Sequence, residues 1–207
     1  DSRITFTRSS TATYYDGTGS VMAEQNLLTY SQSLDNAIWV GTRAAITANS
    51  IAAPDGTTTA ETLIEDTTST NTHYMYYNIS TWPLSTYTFS IHVKPASGSR
   101  RISLVQNFGG IGVAYATFDP SAGTVVTTSG ALTAAISASA NGWYRCSVSY
   151  TTTSTTARFD VYMNTASGTG AESYTGDGTS GVYLWGAQVE QRSSATIYTP
   201  TTSTPVT

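Results

Sequence analysis

Few residues in this chain could carry chemistry. There are thirteen acidic residues, nine basic ones, two histidines and a single cysteine. Glycoside hydrolysis needs two carboxylates flanking the scissile bond, roughly 5 to 10 Å apart. Glu61, Glu65, Asp119, Asp160 and Glu172 are the candidates. Glu61 and Glu65 share a face of one strand-like run. With Asp66 and a Thr-rich loop behind them, they read as solvated surface. Asp160 stands alone, and no pair emerges. A Ser-His-Asp arrangement would use His73 or His92 as base, but serines are too numerous for any pairing to be a signal. The chain has no Gly-x-Ser-x-Gly elbow, no phosphate loop and no His-Glu-x-x-His. The counts exclude a metal site built from His or Cys. Calcium accepts carboxylates and carbonyls, and the oxygen-rich loop Tyr174 to Gly181 offers Asp177 as its one carboxylate. A plain turn is the simpler reading of that loop. The chain therefore predicts no enzyme and no cofactor other than a structural calcium at Asp177.

Binding is better represented than catalysis. In a strand, successive side chains point to opposite faces. Along Tyr87 to Lys94, Tyr87, Phe89, Ile91 and Val93 form the core face, which sends His92 outward. Along Arg158 to Met163, Phe159, Val161 and Met163 point in, while Arg158, Asp160 and Tyr162 point out. Met75, Tyr77 and Ile79 are the core set of His73 to Ile79, leaving Tyr74, Tyr76 and Asn78 outside and His73 at the strand edge. Arg145 belongs to the outward set Trp143, Arg145, Ser147 and Ser149. The collected outward residues Tyr74, Tyr76, Asn78, His92, Gln106, Arg145, Asp160 and Tyr162 combine aromatic rings with planar hydrogen-bonding groups. A sugar has apolar C–H faces and a rim of hydroxyls, so it stacks on such rings and bonds to such groups. The plainer alternative is that tyrosine simply covers a sheet, since strands are rich in it.

These residues need strands to position them, and strands dominate the chain. Period-2 runs bounded by Gly, Pro, Asn and Asp recur at Ala60–Glu65, His73–Ile79, Tyr87–Lys94, Arg101–Asn107, Val113–Phe118, Trp143–Thr151, Ala157–Asn164 and Gly181–Glu190. Helical periodicity is nearly absent between them. The fold class expected is all-β, a two-sheet antiparallel β-sandwich of jelly-roll type. Residues 1–25, with the run Ile4–Phe6 and the turn cluster Asp16–Gly19, read as an arm or linker. The sandwich occupies 26–192, with Trp39 buried by the loop from Leu34. The Thr/Pro-rich tail 193–207 should be extended and exposed.

Composition narrows the partners. Charged residues make up 11% of the chain, against roughly 25% in typical soluble domains. Fourteen tyrosines and four tryptophans argue for a folded chain. A net charge of −4, with basic residues scattered apart from Arg100-Arg101, argues against nucleic acid. No apolar run reaches the roughly eighteen residues of a membrane span. The opening Asp1-Ser2-Arg3 does not resemble a signal peptide. The lone Cys146 sits in an alternating run and reads as a buried apolar residue.

Several phrases carry a resemblance. They are Ile4-Thr5-Phe6-Thr7-Arg8-Ser9-Ser10-Thr11-Ala12-Thr13-Tyr14, Asn26-Leu27-Leu28-Thr29-Tyr30-Ser31 with Trp39, and Ala53-Pro54-Asp55-Gly56-Thr57. Asn141-Gly142-Trp143-Tyr144-Arg145-Cys146, Ser173-Tyr174-Thr175-Gly176-Asp177-Gly178, Tyr183-Leu184-Trp185-Gly186-Ala187-Gln188-Val189-Glu190 and Tyr198-Thr199-Pro200-Thr201-Thr202 follow. Together the chain resembles a family of phage virion proteins, of tail-fibre or tail-tip type, whose domains are similar to jelly-roll carbohydrate-binding modules and concanavalin-like lectins. The interval Val21 to Gln25 is shorter than that family's usual one. The resemblance implies a virion-surface domain that binds host-surface or environmental glycans, with other virion proteins as neighbours. Two rivals stay open: a structural decoration or homo-oligomerisation domain without ligand, and a glycan hydrolase or lyase on the same fold.

Overall fold

The computed structural model describes residues 13–15, 21–79, 81–107 and 113–207. Among the described residues fourteen strands follow in chain order. They are β1 (Thr13–Tyr15), β2 (Val21–Ala23), β3 (Trp39–Thr42), β4 (Ala44–Ile51), β5 (Ala60–Glu65), β6 (His73–Ile79) and β7 (Thr86–Pro95). The rest are β8 (Arg101–Asn107), β9 (Val113–Asp119), β10 (Thr124–Ser129), β11 (Leu132–Ala138), β12 (Tyr144–Thr151), β13 (Ala157–Asn164) and β14 (Gly181–Glu190). β1 and β2 pair with each other; the runs expected at Ile4–Phe6 and Asp16–Gly19 lie outside the described residues. The other twelve form two six-stranded antiparallel sheets: sheet I, in the order β10-β9-β8-β13-β6-β3, and sheet II, in the order β11-β12-β7-β14-β5-β4. This is the expected all-β sandwich.

Alternation builds the core as the sequence implies. Phe89, Ile91 and Val93 of β7 and Cys146 and Val148 of β12 face Met75, Leu104, Phe118, Phe159 and Val161 of sheet I within one apolar cluster. The rings of Phe89 and Phe159 meet across the interior at 5.0 Å. Burying each such side chain is worth about 1.5–3 kcal/mol. Trp39 is buried, as expected, and its indole N–H donates to the Tyr30 carbonyl at 3.2 Å. His73 opens β6 and is fully buried there, with Nδ1 2.8 Å from the Arg43 carbonyl.

Sheet II departs from the simple in-or-out pattern. Thr88, Ser90, Gln188 and Glu190 point away from the core and are still buried. A second apolar cluster of Ala53, Ala60, Trp143 and Trp185, with Tyr198 packed against it, lies on this outer side. The cover is the C-terminal segment, which lies along the sheet with Thr199 and Thr201 buried, while most of residues 193–207 stay exposed. Thr199 N–H donates to Gln188 Oε1 at 2.7 Å, Thr196 N–H to Glu190 Oε2 at 2.9 Å, and Thr88 Oγ1 donates to the Arg192 carbonyl at 2.9 Å. Thr and Pro cannot build a core of their own, but an extended strap can satisfy its backbone on polar groups already fixed by a sheet.

Asn26 joins both ends of the domain. Its side-chain amide donates to the carbonyls of Ala187 (3.0 Å) and Thr199 (2.9 Å) and accepts from the N–H groups of Leu28 and Val189, both at 3.2 Å. Its backbone also pairs with Val206 in both directions. Each capacity of a fully buried amide is used. Truncating it strands several buried backbone groups, each costing about 1–3 kcal/mol. Asn26→Ala is expected to lower unfolding stability in urea by roughly 3 kcal/mol or more, with the strap's amides losing hydrogen-exchange protection first. Uniform protection across 193–207 in that variant would contradict the role of Asn26 as the clasp.

Candidate functional site

The acidic residues considered for catalysis are engaged structurally. Glu61 and Glu65 do share a face of β5, but it is the inner one, with exposures of 3% and 2%. Glu65 is gripped by the Arg100 guanidinium (Nε 2.7 Å, Nη2 2.6 Å), the Tyr174 hydroxyl (2.6 Å) and the Asp177 N–H (2.9 Å). Glu172 accepts from Thr165 N–H and Oγ1 at 2.6 and 2.9 Å. Asp119 caps the turn that leads into β10. Both histidines are buried. Asp177 accepts from Thr179 N–H and Oγ1 and from Ser180 N–H and Oγ, with Arg100 3.4 Å away. These hydrogen bonds hold its carboxyl well below the usual range. The expected calcium loop is thus a turn closed by its own amides and hydroxyls, next to a cation. Among the described residues no three acidic, His or Cys side chains converge on a point.

The predicted binding residues divide between two surfaces. β6 and β13 pair so that Tyr74 lies opposite Tyr162, Tyr76 opposite Asp160 and Asn78 opposite Arg158. All six leave the outer face of sheet I. Tyr74, Tyr76, Asn78, Asp160 and Tyr162 therefore do come together. His92 and Arg145 pair with each other on β7 and β12 of sheet II, on the opposite outer side of the sandwich. There His92 is wedged edge-on between Trp185 and Tyr198, with ring centroids at 5.2 and 6.0 Å. Arg145 is bonded to Ser90 Oγ at 2.8 Å and to the Thr196 carbonyl, so it anchors the strap. Gln106 lies opposite Phe159 and points inward, 1% exposed, with neither amide atom hydrogen-bonded. Its amide chemistry pointed outward, but its parity with Ile102 and Leu104 decides the direction.

On sheet I the side chains form a packed ladder. The Tyr74 and Tyr162 rings stack at 4.4 Å and 15°. Arg158 lies 4.7 Å above the Tyr76 ring and 5.6 Å from that of Tyr74. Asp160, with no exposure, accepts from Arg158 Nε at 2.6 Å and Nη2 at 2.7 Å. Burial pushes the Asp160 carboxyl upward, and Arg158 and the Tyr162 hydroxyl oppose that shift. Tyr162 is only 7% exposed, so it supports Tyr74 from below rather than offering a stacking face. Arg158 was visible in the sequence as an outward residue two positions before Asp160 on the same face. Arg43 was not visible. It sits at the corner between β3 and β4 with φ of 51°, and its guanidinium reaches 5.8 Å from the Tyr74 ring.

The ladder is bounded on one side by the loop after β13. Asn164 Nδ2 donates to Ser103 Oγ (2.7 Å), and Gly170 N–H donates to Thr117 Oγ1 (3.0 Å). Gly170, at φ of 65°, rests on the Tyr115 ring, where a Cβ would meet the ring at 3.0 Å. Tyr74, Tyr76 and Arg158 stay partly open and Asn78 is exposed. The face can donate from phenol, guanidinium and amide and can accept at phenol and amide oxygens. Sheet II carries a groove of about 310 Å³ between β11, β12 and strap residues Ser193 to Ala195, and no aromatic ring lines it.

No family model and no curated relative matches this sequence. Solved structures with a similar fold include carbohydrate-binding modules. The C-terminal CBM6 of LamC from Zobellia galactanivorans is 14% identical, with a TM-score of 0.39 over 72% of this chain and 90% of that one. TmCBM61 in complex with β-1,4-galactotriose is 9% identical, with a TM-score of 0.46 over 82% and 100%. The CBM22-1–GH10 modules of Clostridium thermocellum Xyn10B, complexed with xylohexaose, are 16% identical, with a TM-score of 0.47 over 84% and 29%. At these values the likeness assigns no residue and no ligand.

Glu61 gives the fold a pH signature. Burial raises its carboxyl to about 8 from an ordinary 4.5, against the backbone N–H groups of Asp35 and Leu34, which lower it, and together with the Asp35 carboxyl, which raises it. The native state then holds a proton that the unfolded chain releases, so stability falls as pH rises from 4.5 to 8. His92 works in the opposite sense below its ordinary 6.5, since burial and Arg145 lower it to about 4. Between pH 6.5 and 8 the contribution of His92 is constant, and comparison with Glu61→Gln assigns what remains. The thermal midpoint should drop across this interval, and Glu61→Gln should flatten the profile. A wild-type midpoint constant over that interval would mean that Glu61 is ionised in the fold.

Proposed function

We propose that this chain is a non-catalytic carbohydrate-binding module that takes glycan on the outer face of sheet I. The observation that carries the reading is the ladder itself. Tyr74, Tyr76, Asn78 and Arg158 are held at fixed spacing on two adjacent strands, next to a buried carboxylate that locks the guanidinium. Pre-organised aromatic and planar polar groups on a rigid sheet lower the ordering cost of binding a hydroxyl-rich ligand. The engagement of the acidic residues and the burial of both histidines support binding without turnover. The sequence phrases given above support a module of a phage-type virion surface protein, exposed on the virion and directed at host-surface or environmental glycans.

Glycan-array binding followed by calorimetry tests the site. Tyr76→Ala and Asn78→Ala should each weaken binding about tenfold or more, a loss of about 1.4 kcal/mol. Thr133→Ala in the sheet II groove should leave it unchanged. The reverse pattern would move the site to sheet II. Adhesion of the labelled protein to bacterial cells, lost when their surface polysaccharide is stripped, tests the cellular target.

One observation favours a second reading, a structural virion domain. The four edge strands β3, β4, β10 and β11 contain no charged residue, whereas exposed edges are usually guarded by charge. A self-associating chain would sediment above 21.9 kDa at micromolar concentration, and Val125→Lys on β10 would return it to the monomer. A monomer at all concentrations would remove this reading.

A further inference from the structure

We infer that the saccharide taken by sheet I is anionic, with its carboxylate or sulfate seated between Arg43 and Arg158 beside Tyr74. The inference rests on the reading of sheet I as a glycan face and names the ligand class for it. The chain as a whole is acidic, at −4, yet this face gathers two guanidiniums around one aromatic ring, at 5.8 and 5.6 Å from its centroid. The only carboxylate in the ladder, Asp160, has no exposure and is capped by Arg158 and Tyr162. An approaching ligand therefore meets guanidinium N–H groups and not the Asp160 carboxylate.

Both guanidiniums are held by their inner nitrogens. Arg158 spends Nε and Nη2 on Asp160. Arg43 spends Nε on the Thr72 carbonyl and Nη2 on Thr72 Oγ1, at 2.8 Å for the latter. In each case Nη1 is left outside these bonds. Arg100, Arg101 and Arg192 are each paired with a carboxylate, Arg100 with Glu65, Arg101 with Asp119 at 3.6 Å and Arg192 with Glu190 at 3.9 Å, and Arg145 on sheet II is spent on Ser90 and the strap. Arg43 has no carboxylate within ion-pair distance among the described residues. The exposed Asp66 carboxylate interacts with Arg43 electrostatically, while its hydrogen bonds go to Thr68 and it lies 3.4 Å from His73. Arg43, fixed and without a paired carboxylate among the described residues, and Arg158, whose Nη1 lies outside its pair with Asp160, stand beside phenol hydroxyls and match a planar or tetrahedral anion carried on a sugar ring.

The test titrates the unmodified protein with oligogalacturonate, with the same oligomer reduced at its carboxyls to neutral galactosides, and with a sulfated galactan oligomer. The expected result is binding to one or both acidic oligomers at least tenfold tighter than to the neutral one, weakened by 0.5 M NaCl and by Arg43→Gln. The acidic arm that binds identifies carboxylate or sulfate as the group recognised. Arg43→Gln leaves the buried Asp160 pair intact, and its fold is checked by its near-ultraviolet spectrum. Arg158→Gln, checked for a native near-ultraviolet spectrum, should give a comparable loss. Equal binding of neutral and acidic oligomers, or affinity unchanged in Arg43→Gln, overturns the anionic assignment and leaves the glycan reading standing. Binding to no oligomer here or on the wider array removes both.

Discussion

Asp160 sits on β13, a central strand of sheet I, and has no contact with water. An ionised carboxylate in that position is costly unless it is matched at close range, and removing one partner of such a pair typically costs 3–5 kcal/mol. Arg158, two residues earlier on the same face, closes on it with two parallel hydrogen bonds. That closure decides where the guanidinium plane lies, and with it the spacing of the neighbouring rings. Tyr76 packs under the guanidinium and Tyr74 beside it, while Tyr162 fills the space behind Tyr74 and donates to the same carboxylate. One buried charge thus sets four side chains. The surface they form is rigid because the alternative is an unpaired ion.

The two sheets solve the problem of a second face differently. Sheet I leaves part of its outer face open and populates it with the ladder. Sheet II buries most of its outer face beneath the C-terminal strap and a second apolar cluster around Trp143 and Trp185. The strap brings no apolar core of its own apart from Tyr198. It is retained by side chains that the sheet has already ordered, among them Gln188, Glu190, Arg145 and Asn26. With so few charges in the chain, hydroxyl and amide hydrogen bonds do the work that surface ion pairs do elsewhere. The division leaves polar groups of sheet I displayed while those of sheet II are consumed.

Much of the fold was legible in the residues. Wherever large apolar side chains alternate, as in Tyr87–Val93, His73–Ile79 and Phe159–Met163, period 2 identified both the strand and its inward face. Strands β4, β10 and β11 went unread because they are edge strands made of Ala, Thr and Ser with isolated Ile, Val or Leu. An edge strand buries little, so little selects a strong pattern. Glu61 and Glu65 show the complementary failure. Their shared face was legible, but charge argued for water, and only the packing of Arg100, Tyr174 and the Leu34–Asp35 turn makes the inside habitable for them.

By itself, the sequence determined the all-β sandwich, the core set and the outward direction of Tyr74, Tyr76, Asn78, Asp160 and Tyr162, because side-chain direction in a strand follows from local geometry. Tertiary structure decided which outward residues share a surface. His92 and Arg145 point outward on the opposite sheet, a matter of strand order that no local period encodes. It decided that Tyr162 supports and Tyr76 displays, since exposure depends on what the neighbouring strand places alongside. It also brought Arg43 from a distant corner to the Tyr74 ring and laid the C-terminal segment across sheet II, because contacts between residues far apart in the chain exist only once the sheets are assembled.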